Sequence, residues 1–317
     1  HHLNVNVLNR DMLYDAMDMK RINKFLQLQF CMLLLLLTVL PEFNLLSALL
    51  GFNFDIPKFC CKVLGLVGGG MAFYYFYKEA QSKSQQLPTS FLATAISGMA
   101  LVLLAMIPGV PSWLDYIALI ALFVAIYLCK NSLGVEWKNR GSQGAYFILL
   151  AILLHVYNGI GDTMITGVAA LIGLIIYWMG LGRIRTALDS IGEQGVSKLK
   201  IAVILGLVGV IIGWIPLIGG IIGGILAILA FVFEFMGYGL LKSSNAIGNE
   251  GQIGAGKLRT SMIILLIATV IGFIPGLGIV EKSLSLVSLW FVFQGWNQIL
   301  LGMEMKSGRA EVELQES

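Results

Sequence analysis

Charged residues are scarce in this chain of 317 residues, at 12% of the sequence against roughly 25% in a soluble domain. Histidine and cysteine are also rare, with three and four residues, and the cysteines match neither a disulfide framework nor a CxxC metal site. We therefore expect no metal and no cofactor. The net charge of +3 gives no indication of a nucleic-acid partner.

Catalytic motifs are missing as well, since the chain holds no GxSxG, no HExxH and no histidine cluster. The segment Gly251–Lys257 spells part of a phosphate-binding loop, but Leu258 follows where Ser or Thr would bind magnesium. The segment Gly159–Asp162 is similar to the GxGD motif of intramembrane aspartyl proteases, but a second aspartate within the membrane is lacking. We therefore expect a protein that is not an enzyme.

Apolar residues are abundant, at 57% of the chain with a mean hydropathy of +0.84. They form ten long runs, which predict an all-α polytopic membrane protein with ten transmembrane helices. Short turns near residues 41, 108, 160, 216 and 275 group the runs into five tandem helical hairpins. These hairpins span residues 25–77, 91–129, 145–181, 199–241 and 258–303. A polar segment, 1–24, precedes them, and a polar tail, 304–317, follows.

Three motifs within residues 179–278 occur twice in the same order, which predicts an internal repeat of one hairpin. The matched segments are Met179–Gly182 with Met236–Gly239, Asp189–Gly195 with Asn245–Gly251, and Gly213–Gly219 with Gly272–Gly278. The second copies follow the first by 57, 56 and 59 positions.

Basic residues are distributed unevenly between the two sides of this predicted topology. The side that holds both termini carries 18 of the 21, and the opposite turns hold Lys58, Lys62 and Lys282. Cytoplasmic loops of membrane proteins carry the excess of Lys and Arg. The asymmetry therefore predicts a multi-pass protein of the cytoplasmic membrane with both termini in the cytoplasm.

Glu234 is the one acidic residue well inside an apolar run, and a carboxylate at that depth is a candidate pathway or proton site. The motif Phe-Val-Phe precedes it at 231–233 and recurs at 291–293, which predicts that Gln294 occupies the matching position. The 57-residue offset places Tyr177 at this depth in the preceding hairpin. These three residues either line a shared polar interior or anchor the helices at the membrane interface.

His155 is a further candidate for the pathway, because it lies near the end of an apolar run beside Tyr157, Asn158 and Asp162. A single histidine is more often an interfacial or buried hydrogen-bonding residue than a ligand. Both interpretations stay open at this stage.

Small residues predict where the helices pack, because close packing between helices in lipid depends on them. The predicted packing glycines lie in two successive runs: Gly209, Gly213, Gly219, Gly220, Gly223 and Gly224. An alternative role for such glycines is close backbone approach around a substrate or pore.

Two function classes follow from these patterns. The first is a permeation or transport protein for a small solute or a lipid, with a polar interior around Glu234. The second is a non-catalytic membrane scaffold or accessory subunit that binds a partner membrane protein or anionic lipid. The predicted partner in both cases is the lipid bilayer, and a homo-oligomer is left open. Because a two-helix repeat keeps every unit in one orientation, it lacks the inversion that many secondary transporters use.

Overall fold

The computed structural model describes four continuous ranges, 89–105, 139–158, 164–213 and 218–316. It also describes single residues between and before them: Val67, Tyr74, Ile107, Leu114, Ile117, Ala121, Val124, Ala125, Leu128, Trp137, Ile215 and Pro216. The predicted hairpin 25–77, apart from Val67 and Tyr74, and the predicted turn near 160 lie outside the described residues.

This described part of the chain is all-helical, as its composition predicts. Its seven helices are α1 (Thr89–Ala105), α2 (Arg140–Asn158), α3 (Met164–Arg185), α4 (Ser190–Gly213), α5 (Gly219–Ser243), α6 (Gly248–Gly272) and α7 (Gly278–Glu316).

Four segments are long and apolar enough to cross a membrane: Ser190–Gly213, Gly219–Ser243, Gly248–Gly272 and Ser283–Gly308. Each has 24 to 26 residues, which at 1.5 Å per residue exceeds a hydrocarbon core of about 30 Å. Their large apolar side chains remain widely exposed, for example Ile221 at 69% and Ile228 at 66%. Such helices identify an integral membrane protein.

The helices extend beyond the apolar runs that predicted them. α4 begins at Ser190 although its apolar run begins at Leu199, and α6 begins at Gly248 although its run begins at Leu258. α7 continues through the predicted polar tail, 304–317, as far as Glu316. Hydropathy marks the part of a helix suited to lipid, whereas backbone hydrogen bonding continues until a cap or a turn ends it.

The chain divides into two compact units, His1–Glu136 with Leu153–Ala170 and Trp137–Ile152 with Leu171–Ser317. Unit 1 contains α1, where Ala95 is buried. Unit 2 contains α4 to α7 and the parts of α2 and α3 described below.

Unit 2 is built from three antiparallel helix pairs, α2 with α3, α4 with α5, and α6 with α7. Each pair crosses at two glycines: Gly144 with Gly180, Gly195 with Gly237, and Gly254 with Gly295. A Cβ on the second glycine of each pair would lie 2.7, 2.9 and 2.8 Å from the carbonyl oxygen of the first. Only glycine allows two backbones to approach this closely.

These crossings correct one predicted correspondence. Gly195 and Gly254 make the same contacts, since a Cβ on either would meet the carbonyl of the partner glycine and the backbone nitrogen four residues further on. Gly195 therefore corresponds to Gly254, 59 positions later, and not to Gly251 as the motif comparison predicted. The 56-residue match does not give the structural correspondence, because nine positions separate Asn245 from the crossing at Gly254 whereas six separate Asp189 from that at Gly195.

The second helices of the three pairs meet around Tyr238 of α5. Its ring contacts Trp296 of α7 edge-on at a centroid distance of 6.2 Å, and its hydroxyl interacts with Tyr177 of α3. Leu181, Tyr238 and Trp296 occupy corresponding positions next to the crossing glycines and are 0%, 3% and 1% exposed. Unit 2 is therefore closely packed at this level.

The end of unit 2 where residues 186–189 and 244–247 connect the pairs is here termed the linker end. There the carboxylate of Asp189 accepts hydrogen bonds from the N–H of Gly192 (2.8 Å), the hydroxyl of Ser244 (2.7 Å) and the N–H of Asn245 (2.9 Å). Burial alone would raise the pKa of Asp189, but these hydrogen bonds outweigh it and hold the pKa below its ordinary value. One carboxylate thus caps α4 and joins two linkers.

The same end brings the first and last pairs into contact. The hydroxyl of Ser142 on α2 donates to the carbonyl of Leu300 on α7 at 3.4 Å. The side-chain amide of Asn139 donates to the carbonyl of Met303 at 3.3 Å. The three pairs therefore follow one another around unit 2, with α2 contacting α7.

Candidate functional site

Glu234 and Tyr238 lie one turn apart on α5, so that both side chains project from the same face. The hydroxyl of Tyr238 donates a hydrogen bond to Oε1 of Glu234 at 2.9 Å. Tyr238 is buried, and Glu234 is half-buried. The glycine crossing at Gly237 fixes the rotation of α5 about its axis, and it thereby fixes the direction of both side chains.

Tyr177 joins this pair from α3. Its hydroxyl hydrogen-bonds to Tyr238. The hydroxyl of Tyr238 thus interacts with both Glu234 and Tyr177. We call Tyr177, Glu234 and Tyr238 the carboxyl–phenol cluster.

The positions of Tyr177 and Glu234 correspond, because each lies three residues before the crossing glycine of its helix, Gly180 and Gly237. Gln294 does not correspond to them. It lies one residue before Gly295 and therefore matches Met236, two positions away from the match predicted from the Phe-Val-Phe motif. Two residues turn a helix by about 200°, so Gln294 projects in another direction.

Gln294 has a different partner from the cluster. Its Oε1 accepts a hydrogen bond from Nζ of Lys257 on α6 at 2.9 Å. The predicted set of three polar residues at one depth is thus separated into two sites, and Val292 occupies the position on α7 that corresponds to Glu234.

His155 lies on α2, and its side chain is outside the described residues. Tyr238, in contrast, was missed by sequence reasoning although it links the two residues of the cluster. Its position four residues after Glu234, within the repeated Met-Gly-x-Gly motif, is the sequence signal that would have indicated it.

Further from the linker end, the face of α5 that carries Tyr238 consists of small residues. Gly220, Gly224 and Ala227 share this face with Tyr238, at helical spacing, and all three are exposed. A Cβ on Gly220 or Gly224 would meet no heavy atom within 4 Å. The carboxyl–phenol cluster therefore lies at the packed end of an open helix face.

Only some of the predicted packing glycines lie in contacts. A Cβ on Gly223 would lie 2.9 Å from the carbonyl oxygen of Gly209, and one on Gly219 would meet the carbonyl of Ile212. Gly213 supplies backbone to both contacts, although a Cβ on Gly213 itself would meet nothing. Gly220 and Gly224 lie on the face of α5 that is turned away from α4, so the packing role predicted for them stays a prediction.

The chemistry of the cluster is that of oxygen atoms alone. Among the described residues, no Lys or Arg forms an ion pair with Glu234. An ion pair is seen away from the cluster, between Arg185 and Glu193 at 3.8 Å. In the same part of the chain, no three His, Cys, Asp or Glu side chains gather as metal ligands. A carboxyl group beside two phenol oxygens offers acceptor atoms that suit a proton or a cation.

The partial phosphate-loop motif has no loop geometry. Residues 251–257 are helical throughout, within α6. A helix directs its backbone N–H groups along its own axis to carbonyl oxygens, so they do not surround a phosphate.

No protein-family model, curated protein or solved structure matches this chain.

Proposed function

We propose that this integral membrane protein is a permeation protein that moves a proton, alone or together with a small solute, and that Glu234 binds the proton. The observation that carries the proposal is the hydrogen bond from Tyr238 to a span carboxyl that has no cationic partner among the described residues. A carboxylate within a span is costly, by about 2.5–3.5 kcal/mol at the centre of a helix. Such a residue is retained where its charge is used.

The open helix face supports a one-sided route to this carboxyl. Gly220, Gly224 and Ala227 leave space along α5 up to Phe231, three residues before Glu234, whereas Leu181 and Trp296 are buried beyond it. A site that is open on one side and closed on the other is what alternating access requires. In this proposal the chain has ten spans in five repeated hairpins, both termini are cytoplasmic, and no covalent chemistry takes place.

The test is proton flux into liposomes that contain the purified protein and a trapped pH-sensitive dye, driven by a potassium diffusion potential. Glu234→Gln removes the proton site while keeping the shape of the side chain, and we expect it to abolish the flux. Glu193→Gln is the matched control, because Glu193 is an acidic residue near the linker end that lies outside the cluster. We expect this control to conduct like wild type.

A Tyr238→Phe variant separates the cluster from the carboxyl alone. It removes the hydroxyl that joins Glu234 to Tyr177, and we expect a shift in the pH dependence of the flux with the fold unchanged. Equal flux in wild type and Glu234→Gln would contradict the proposal.

The packed centre of unit 2 favours a second candidate, a non-catalytic scaffold. Leu181, Tyr238 and Trp296 fill the region where three helices meet, as expected of a protein that needs no path through this unit. The absence of flux from both wild type and Glu234→Gln, with identical thermal unfolding, would favour the scaffold. Glu234 would then be an interfacial anchor.

A further inference from the structure

Aromatic rings lie before and after the Glu234 carboxyl along α5. Phe231 lies three residues before it on the open helix face, and Tyr238 lies four residues after it and donates its hydroxyl proton to Oε1. Residues three and four positions apart are neighbours on a helix surface. Phe231 is half-buried and stacks on Phe235, with 6.5 Å between the ring centroids and 9° between the ring planes. The carboxyl therefore has an aromatic ring on the side of the open face and phenols on the packed side.

Basic side chains of the helices around α5 lie over other aromatic rings or beside a neutral amide. These contacts, with the distance to the ring centre or acceptor atom, are Arg183 to Phe147 (4.3 Å), Lys198 to Phe233 (5.1 Å), Lys200 to Trp178 (4.8 Å), Arg259 to Phe235 (4.3 Å) and Lys257 to Gln294 (2.9 Å). Among the described residues, no Lys or Arg lies over the ring of Phe231 or forms an ion pair with Glu234. This ring and this carboxyl both attract a positive charge that the described part of the chain does not supply.

The open helix face gives the dimensions available to the rest of a ligand. Gly220, Gly224 and Ala227 are all exposed, and the seven positions that they span extend about 10 Å along α5. They lie within Gly219–Ser243, a segment that is apolar and long enough to cross a membrane. The backbone polar groups of a helix are hydrogen-bonded within it, so this face offers only apolar contacts. A ligand that lies along it has an apolar body.

The oxygen atoms of the carboxyl–phenol cluster are too few for a metal cation. Glu234 supplies two carboxylate oxygens, and Tyr177 and Tyr238 supply one phenol oxygen each. Calcium takes about six to eight oxygen ligands, and magnesium requires an octahedron of about six. An organic cation requires no such shell, because a carboxylate and aromatic rings are sufficient to bind it. The donor set therefore favours an organic cation over a metal ion.

We propose that the solute of this protein is a lipophilic organic monocation, of the quaternary ammonium or phosphonium class, which exchanges with the proton of Glu234. Its charge lies between the carboxylate and the ring of Phe231, and its apolar body lies along Gly224 and Gly220. Because the cation binds the ionised carboxyl, one proton leaves Glu234 for each cation that binds. This substrate class depends on the proposed role of Glu234 as a proton site.

Equilibrium dialysis of radiolabelled tetraphenylphosphonium against the purified full chain in neutral detergent measures this binding, and a pH-sensitive dye in weak buffer measures the released proton. We expect saturable binding of one cation per chain by wild type. While the free carboxyl is protonated, the affinity should rise about tenfold per pH unit, because one proton is displaced. Choline has the same charge without the apolar body and should bind more than about tenfold more weakly.

Two matched sets of variants locate the site. Glu234→Gln should abolish both binding and proton release, whereas Glu193→Gln, outside the cluster, should bind like wild type. Glu234→Asp keeps the charge and should retain binding, which guards against loss through misfolding. Phe231→Leu removes the ring on the open face and should weaken binding about fivefold. Phe233→Leu removes the ring under Lys198 and should leave the affinity unchanged.

The possible outcomes separate the organic cation from the proton site itself. Failure of wild type to bind tetraphenylphosphonium, with a proton flux that Glu234→Gln abolishes, would overturn the organic cation and leave the proton site. Binding that Glu234→Gln abolishes, without proton flux in either protein, would support the ligand and contradict the permeation function. Binding that persists in Glu234→Gln would show partition into the detergent micelle and overturn the proposal. Displacement by Na⁺ at constant ionic strength would assign the site to a metal cation and overturn it as well.

Discussion

The glycine crossings give the sharpest test of how unit 2 is held together, and Gly237→Ala is the most informative change. A Cβ on Gly237 would lie 2.8 Å from Cδ2 of Leu199 and 2.9 Å from the carbonyl oxygen of Gly195. Leu199 could adjust its side chain, but the carbonyl belongs to the helix backbone. The variant therefore has to move α4 and α5 apart.

The magnitude follows from two opposing effects. Overpacking a close contact costs about 1–3 kcal/mol, whereas Ala in place of Gly within a helix contributes roughly 0.5–1 kcal/mol of stability. We expect a net loss of about 1–2 kcal/mol for Gly237→Ala. The control is Gly224→Ala on the same helix, where the new Cβ meets nothing within 4 Å and only the favourable effect remains.

The measurement is thermal unfolding of both variants in the same detergent, followed by circular dichroism. A difference of about 2 kcal/mol between the variants corresponds to roughly 4–8 °C in Tm, with Gly237→Ala below wild type and Gly224→Ala at or above it. Equal melting temperatures would refute the conclusion that the helices touch at Gly237. A lower Tm for Gly224→Ala would show that its face is covered.

Three further predictions concern residues that sequence reasoning did not assign to stability. Asp189→Asn should cost about 1–2 kcal/mol at neutral pH, because Asn still caps α4 but has one acceptor oxygen where the carboxylate uses two. The folded pKa of Asp189 is lowered, so its ionised form stabilises the fold fully above the unfolded pKa of about 3.9. This stabilisation is lost as the pH falls from there through the folded pKa. The melting temperatures of wild type and variant should therefore converge in acid. Gly276→Ala should cost about 1–2 kcal/mol of stability, because its φ is +86° although a Cβ there would meet nothing within 4 Å. Gly248→Ala should cost more, because its φ is +67° and a Cβ there would also lie 3.0 Å from a backbone oxygen. Ser288→Ala removes a 2.8 Å hydrogen bond to the backbone of α6 and should lower the free energy of unfolding by roughly 0.6 kcal/mol. Denaturation in detergent measures this, and an unchanged stability would contradict the prediction.

The sequence determined the class of this protein, because hydropathy and charge are properties that each segment carries by itself. With 12% charged residues and long apolar runs, the chain has to form membrane helices. The isolated carboxyl of Glu234 and the correspondence of Tyr177 to it were also readable, since both depend on position along one segment. The number of ten spans and the side of the termini stay predictions.

The tertiary structure decided which faces meet, and that depends on how distant segments cross. Among 37 glycines, the sequence did not distinguish Gly237, which crosses another backbone, from Gly224, which faces open space. The Phe-Val-Phe motif placed Gln294 two residues away from its true match, because the crossing at Gly295 sets the register and the motif does not. Tyr238 became the centre of the site for the same reason: its hydroxyl reaches Tyr177 only after α3 and α5 have been brought together.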